Sequence, residues 1–165
     1  MPQKMLVLAR PEEHAELAQL IDRLWHSAYD GLLGPDQVAY MTQKFQSVPA
    51  IEEQIRSDNY LYFFLEKEGA RIGYCALRPE KEKLFLSKLY LVDELRGRGV
   101  GQLALAEIAE DARRMGLSAV YLTVNKGNAR AVRAYEKFGF VRTDSTVTDI
   151  GGGYVMDDYI YEYAV

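Results

Sequence analysis

The sequence predicts an α+β fold in three layers: a mixed, largely antiparallel twisted sheet of about seven strands with helices on both faces. Two observations carry this. The apolar residues switch between period two and period 3.6 along the chain, in the order strand, helices, three strands, helix, strand, helix, two strands. The three central runs are joined by short charged turns, as hairpins are, so the strict strand–helix alternation of a doubly wound dinucleotide fold is missing. A length of 165 residues suits one domain over residues 1–165, with a core that needs no disulfide or metal to hold it.

Taken in order, Lys4 to Ala9 reads as a buried strand. Pro11, Glu12 and Glu13 start a helix, with proline in the first turn and acids at the positive end of the dipole. Leu17, Leu20, Ile21, Leu24 and Trp25 recur at helical spacing until Gly31 to Pro35 breaks the pattern. A shorter helix runs through Met41 and Phe45, and Ile51 to Arg56 forms a third. Tyr60 to Leu65 and Arg71 to Leu77 read as a hairpin around Glu66 to Gly69, and Leu84 to Val92 as the next strand. After a Gly/Arg loop, Val100, Ala104, Ile108 and Ala112 mark one helical face, ended by Gly116. Ala119 to Val124 is a strand. Asn128 caps a helix carrying Val132, Tyr135 and Phe138, which Gly139 ends. Phe140 to Thr148 and Tyr154 to Tyr163 are the last two strands, joined by Gly151 to Gly153.

Composition narrows the function. At 48% hydrophobic and 27% charged, the chain is not disordered. No apolar run approaches the roughly 18 residues of a membrane span, and the run Met5 to Ala9 falls short of the core of a signal peptide, about 7–15 residues long. A cytoplasmic protein with no membrane partner is expected. The single cysteine, Cys75, excludes a disulfide framework and any multi-cysteine zinc site. His14 and His26 share no face of their helix, so no metal is expected. Residues 141–165 hold one arginine against five acids, which accounts for the whole net charge of −4. Without a basic stripe, nucleic acid is not expected as a partner. A solvated acidic surface explains the C-terminal charge, and attraction of a cationic substrate is the sharper reading.

The strongest local signal is Arg96-Gly97-Arg98-Gly99-Val100-Gly101-Gln102, set between a strand and a helix. Alternate glycines let backbone N–H groups crowd towards one point, and the following helix adds its positive end, making a cradle for a phosphate or pyrophosphate. It is not a Walker loop, which ends in Gly-Lys-Ser/Thr, nor a dinucleotide or kinase loop, both of which need glycine where Gln102 stands.

These residues resemble the GNAT superfamily of acyl-CoA N-acyltransferases. The pattern Arg/Gln-x-x-Gly-x-Gly/Ala after a Leu-x-Val-type strand is met by Leu89-Tyr90-Leu91 and Arg96 to Gly101. A second pattern, Asn-x-x-Ala-x-x-x-Tyr-x-x-x-Gly-Phe, is met by Asn128, Ala131, Tyr135, Gly139 and Phe140. The likeness is close from about Leu84 to Phe140. It implies a GNAT-like fold and acetyl-CoA as co-substrate. The amides of Gly97, Arg98, Gly99, Gly101 and Gln102, with Arg96 and Val100 in the same loop, would hold the pyrophosphate. Leu89 and Leu91 would pair with the pantetheine arm, from a strand bulged and splayed from its neighbour. The Leu91 N–H would face the thioester carbonyl. Asn128 would bond the pantetheine beside Ala131, and Tyr135 would protonate the departing thiolate. Read alone, Asn128 is an N-cap and Tyr135 a core aromatic.

The resemblance further implies direct attack of a primary amine on the thioester in a ternary complex. The acceptor expected is a small-molecule amine; a protein or peptide amine, or a non-catalytic acyl-CoA-binding module, are the alternatives. Members often dimerise through C-terminal strands, so a homodimer is admitted. A general base is needed because an amine of pKa near 10 must lose a proton. Members often carry a glutamate on the central strand, yet Leu84 to Leu89 holds no acid. Glu66, Tyr154, Asp157 and Asp158 are the candidates. Tyr159, Tyr161 and Tyr163 share one face of the last strand, for packing or for a pocket wall, and Tyr29, Tyr40, Phe45 and Tyr60 suggest an acceptor pocket with an apolar body. Cys75 lacks a base partner and reads as core.

Overall fold

The computed structural model describes residues 4–92, 95 and 98–165. Among them, seven strands form one sheet: β1 (Leu6–Leu8), β2 (Leu61–Lys67), β3 (Ala70–Pro79), β4 (Lys83–Leu91), β5 (Ala119–Asn125), β6 (Val141–Gly151) and β7 (Tyr154–Ala164). Their order across the sheet is β1-β2-β3-β4-β5-β7-β6. All neighbours run antiparallel except β4 and β5. The helices are α1 (His14–Leu33), α2 (Pro35–Gln46), α3 (Val48–Ser57), α4 (Val100–Arg114) and α5 (Ala129–Phe138). This is the expected α+β fold.

Each face of the sheet carries its own core. On one, α4 and α5 cover Leu65, Leu84, Leu86, Leu122 and Tyr161 with Ile108, Ala112 and Tyr135. On the other, α1, α2 and α3 cover Phe64, Tyr74 and Ala76 with Ile21, Trp25, Met41 and Ile51. Burying each such side chain contributes about 1.5–3 kcal/mol, so helix placement follows from the two apolar faces that strand alternation creates.

Three boundaries differ from the sequence reading. The apolar run at β1 predicts a buried strand, but Val7 and Leu8 are 38% and 54% exposed because β1 is an edge strand. It is held by Glu107 of α4, whose carboxylate accepts the Met5 and Leu6 N–H groups at 2.8 and 3.0 Å. The first helix runs through Gly31 and stops at Gly34, with Pro35 opening α2. The last turn is narrower than expected, since Gly151 still pairs with Tyr154.

β4 is the strand that shapes the site. Its pairing with β3 skips Ser87: Leu77 faces Leu86, and Ala76 faces Lys88. That bulge re-aims the strand and reverses its alternation. Before it, Leu84 and Leu86 point to the α4–α5 core; after it, Leu89 and Leu91 do. Tyr90 then points to the α1 side. Pairing of β4 with β5 is confined to Lys83–Leu86 against Ala119–Leu122. Beyond Leu86 the two parallel strands part.

Candidate active site

The parted strands open a cavity of about 610 Å³ through the sheet. Its rims are backbone. Leu91 faces Gly73, and the next residue's N–H, Val92, bonds the Ile72 carbonyl at 2.9 Å. In an antiparallel ladder this makes Leu91 a non-hydrogen-bonded partner of β3, with its N–H and C=O turned the other way. Leu89, two residues earlier and opposite Cys75, is turned likewise. Both therefore present donors and acceptors to the gap that β5 has vacated. Gly73 keeps this strand close, since a Cβ there would lie 2.1 Å from the Tyr90 carbonyl oxygen.

On the α4–α5 side, the cavity is lined by Leu89, Leu91, Gly99, Gly101, Gln102, Asn128, Ala131 and Tyr135. Gly99 caps α4 with φ 78°, a left-handed turn that favours glycine. The first N–H groups of α4 have no intrahelical acceptor and carry the positive end of a 15-residue helix, a site suited to an anion. The Gln102 side chain donates to the Ala134 carbonyl at 2.9 Å and ties α4 to α5. The Val100 side chain is buried in the core and Arg98 is exposed, so the side chains of these two sit apart from the lining residues. Arg96 and Gly97 lie outside the described residues. Asn128 does cap α5, accepting the Ala131 N–H at 3.2 Å, and its amide also reaches the Tyr29 hydroxyl at 3.4 Å. The Tyr135 ring packs edge-on to Phe140 at 5.6 Å, and burial pushes its hydroxyl above the usual tyrosine pKa, so it stays protonated. Arg130, Arg133 and Lys137 add positive charge on α5. These backbone donors, glycines and cations fit a phosphate-bearing acyl carrier.

On the α1 side the wall is made of side chains. Trp25, Tyr29, Leu32 and Leu33 of α1, Met41 of α2, Tyr90 of β4 and Met156 of β7 line it. The Tyr29 and Tyr90 hydroxyls are 2.7 Å apart, and both rings pack against Trp25. Trp25 is fixed from behind: its indole N–H donates to Tyr74 Oη at 2.7 Å, and that hydroxyl donates to Gln46 Oε1 at 3.2 Å. Two charges enter this wall. Lys88 lies 6.0 Å from the Trp25 ring and donates to Ser87 Oγ at 2.7 Å. Burial pulls its pKa down to about 8, against the opposing pull of Asp158. Asp158 is 5% exposed, and its Oδ1 has no hydrogen-bond partner among the described residues. Burial raises its pKa, Lys88 lowers it, and Asp157 raises it again.

The other base candidates lie elsewhere. Glu66 pairs with Arg71 at 3.5 Å. Tyr154 packs at a tilt against Tyr40, 5.2 Å between ring centroids. Asp157 is exposed and pairs with Lys126 at 2.7 Å. Of the aromatic residues named for an acceptor pocket only Tyr29 lines the cavity. Tyr40 donates to the Ile150 carbonyl at 3.0 Å, Tyr60 packs beside Arg78, and Phe45 packs beside Lys44. Tyr159, Tyr161 and Tyr163 pack beneath α5, with Tyr163 4.9 Å from Phe138. The acidic C-terminal surface is mostly engaged too: Glu162 pairs with Lys83 at 2.6 Å, and Asp144 and Asp149 accept local N–H groups at 2.8 Å. His14 and His26 bond Glu52 and Asp30, and the buried Cys75 thiol has its pKa pushed up by burial, which leaves it inert. Sequence reasoning misses Trp25, Lys88, Tyr90 and Met156 as lining residues. Lys88 alone gives a signal, a lysine inside an otherwise apolar strand.

Known proteins resemble this chain in sequence and in fold. The Acetyltransferase (GNAT) family model matches residues 19–140. An N-acetyltransferase of Mycobacterium tuberculosis is 28% identical over 146 residues, 88% of this chain and 93% of that one. A spermidine N(1)-acetyltransferase of Thermoplasma acidophilum is 22% identical over 142 residues, covering 84% and 88%. Among solved structures, the PaiA N-acetyltransferase from Thermoplasma acidophilum in complex with coenzyme A superposes with a TM-score of 0.81 at 22% identity, covering 97% of this chain and 98% of that one. The matched span runs from within α1 through the parted strands to the end of α5, leaving out Met156 and Asp158 of β7, and on it the chain belongs to the GNAT family of N-acetyltransferases, which take their acyl group from acetyl-CoA.

Proposed function

We propose that the protein acetylates a primary amine of a small molecule, with acetyl-CoA lying along the α4–α5 side and the acceptor entering from the α1 side. The observation that carries this is the cavity itself: the parted strands join an anion cradle to an aromatic wall roofed by α1 and α2. Its volume of about 610 Å³ falls in the range of small-ligand sites, roughly 300–1,000 Å³. A peptide acceptor needs a groove open at both ends, and the aromatic roof works against one.

In this reading the amides at the start of α4 hold the pyrophosphate, with Arg130 and Arg133 of α5 beside it. Leu89 and Leu91 offer their outward backbone groups to the pantetheine arm as another strand would. The Leu91 N–H faces the thioester carbonyl, where one donor aimed at developing charge is worth about 3–4 kcal/mol. Asp158 takes the proton of the acceptor ammonium: burial raises its pKa, which makes it a stronger base than a surface aspartate. Tyr135 donates a hydrogen bond to the departing sulfur. Its pKa stands above that of a thiol, near 8.5, so it stabilises the developing thiolate by a hydrogen bond, and the sulfur takes the second proton shed by the attacking nitrogen and leaves as the CoA thiol. A cytoplasmic location agrees with the free Cys75 thiol. Val141 and Val147 on the edge strand β6 and Val155 on its neighbour β7 are exposed, which supports the homodimer expected for the C-terminal hairpin.

The test is calorimetric titration with acetyl-CoA, followed by a thiol-release screen of small primary amines against N-terminal peptides. Gly99→Glu puts a carboxylate on a left-handed glycine at the cradle. It should weaken acetyl-CoA binding at least 100-fold while wild type binds at micromolar concentration or tighter. Turnover of peptides in place of small amines would overturn the reading.

A further inference from the structure

The acceptor wall holds two opposite charges that do not meet. Lys88 Nζ bonds its neighbour Ser87, and Asp158 Oδ1 is buried without a hydrogen-bond partner among the described residues, though each feels the other's field. A buried carboxylate with an orphaned oxygen is costly, and so is a lysine drawn into an aromatic pocket. Had the fold needed only mutual neutralisation, direct contact would give it. Instead both line one cavity whose lining also includes the apolar side chains of Trp25, Leu33, Met41 and Met156.

We infer that the acceptor carries a carboxylate beside its amine, Lys88 taking the carboxylate and Asp158 the ammonium. The substrate class is an α-amino acid or close analogue with an apolar or aromatic side chain, which rests against Trp25 and the two methionines. The inference rests on the small-amine reading above and adds the acid group to it. Charge in the cavity points the same way. On the acceptor side its described lining carries one acid, Asp158, and one base, Lys88, while Arg130, Arg133 and Lys137 of α5 lie on the donor side. A polyamine, the substrate of the spermidine-acetylating relative, would set its second and third ammonium groups against Lys88 with no further carboxylate to receive them.

Matched pairs test this: L-tryptophan against tryptamine, L-phenylalanine against phenethylamine and L-leucine against isoamylamine, each by thiol release at saturating acetyl-CoA. In wild type the amino acid should exceed its decarboxylated partner in kcat/KM by about 10–100-fold, the range for one charge-assisted contact. Lys88→Met should collapse that ratio towards one, and Lys88→Arg should keep part of it. A lysine that served only to hold Asp158 in place would lower both members of a pair together and leave the ratio standing, which would overturn the inference. Should Lys88→Met fail to fold, the wild-type ratio decides alone: amines turned over as well as their acids sink the inference and leave the small-amine reading intact. Acetyl-CoA binding without turnover of any acid or amine in the panel removes the small-amine reading and this inference with it.

Discussion

The two sides of the parted strands are built on different principles. The α4–α5 side is chiefly backbone, in the turned-out amides of Leu89 and Leu91 and the glycine-capped start of α4, with the side chains of Asn128 and Tyr135 on α5 beside them. The α1 side is side chain: Trp25, Tyr29, Tyr90, Met156, Lys88 and Asp158. A backbone site recognises what all donors share, a phosphate and a repeating amide arm. A side-chain site can differ in each family member without disturbing the fold. The same division explains what could be read from sequence. Glycines at alternate positions and an asparagine three residues before an alanine are local patterns, and each states a backbone requirement. The acceptor wall draws on positions 25, 41, 88, 90, 156 and 158, brought together only by the order β4-β5-β7 and the crossing of α1 over it.

The sharpest way to break the comparison is Asp158→Asn. If the α1 side supplies the base, kcat/KM for the amine should drop about 10²–10⁴-fold, with acetyl-CoA affinity within about threefold of wild type. The pH profile gives the signature. The wild-type acid limb should lie above the ordinary aspartate value, about 3.9, because burial raises this carboxyl. In the variant that limb is lost. Residual activity should then climb about tenfold per pH unit up to the acceptor's own pKa, as free amine replaces the missing base. A variant with the wild-type profile would take the base role from Asp158 and leave it as an anchor alone.

Tyr135→Phe probes the other side and should cost less. The ring keeps its edge contact with Phe140, and only the hydroxyl goes. One hydrogen bond to a developing charge is worth about 1.5–3 kcal/mol. A fall in kcat of about 10- to 100-fold is therefore expected, with little change in KM for acetyl-CoA. An equal fall for a donor with a more acidic leaving thiol would argue against the role, since such a thiolate needs the hydrogen bond least.

The bulge at Ser87 shows how a fold can hide a legible signal. The run Leu84-Phe85-Leu86-Ser87-Lys88-Leu89-Tyr90-Leu91 has two apolar alternations out of phase by one residue. A strand that keeps one face buried can do this only by inserting a residue. Read that way, the phase slip locates both the parting of the strands and the residue that points a lysine at Trp25. Read as one buried strand, it conveys neither. β4 is not uniform: its first half pairs with β5 and its second half does not.

The smallest effect concerns the energy stored in that second half. Lys88 has a folded pKa near 8, below the 10.5 of a free lysine, chiefly from burial. Between these values the unfolded chain binds more protons than the folded one, so stability rises with pH across that window. The penalty is fully present below about pH 8 and is relieved towards pH 10.5. Lys88→Met has no such dependence. The variant should therefore be the more stable form at pH 7, by on the order of 1–2 kcal/mol once solvent screening is allowed for. The difference should shrink by pH 10, where urea unfolding of the two would converge. Tyrosine titration affects both chains alike and drops out of the comparison. A lysine kept in place at a cost to the folded state, in a pocket that binds nothing negative, would have no reason to be there. A stability gap that stays flat from pH 7 to pH 10 would show that Lys88 sits comfortably in water, and the division between a backbone donor side and a charged acceptor side would lose its positive half.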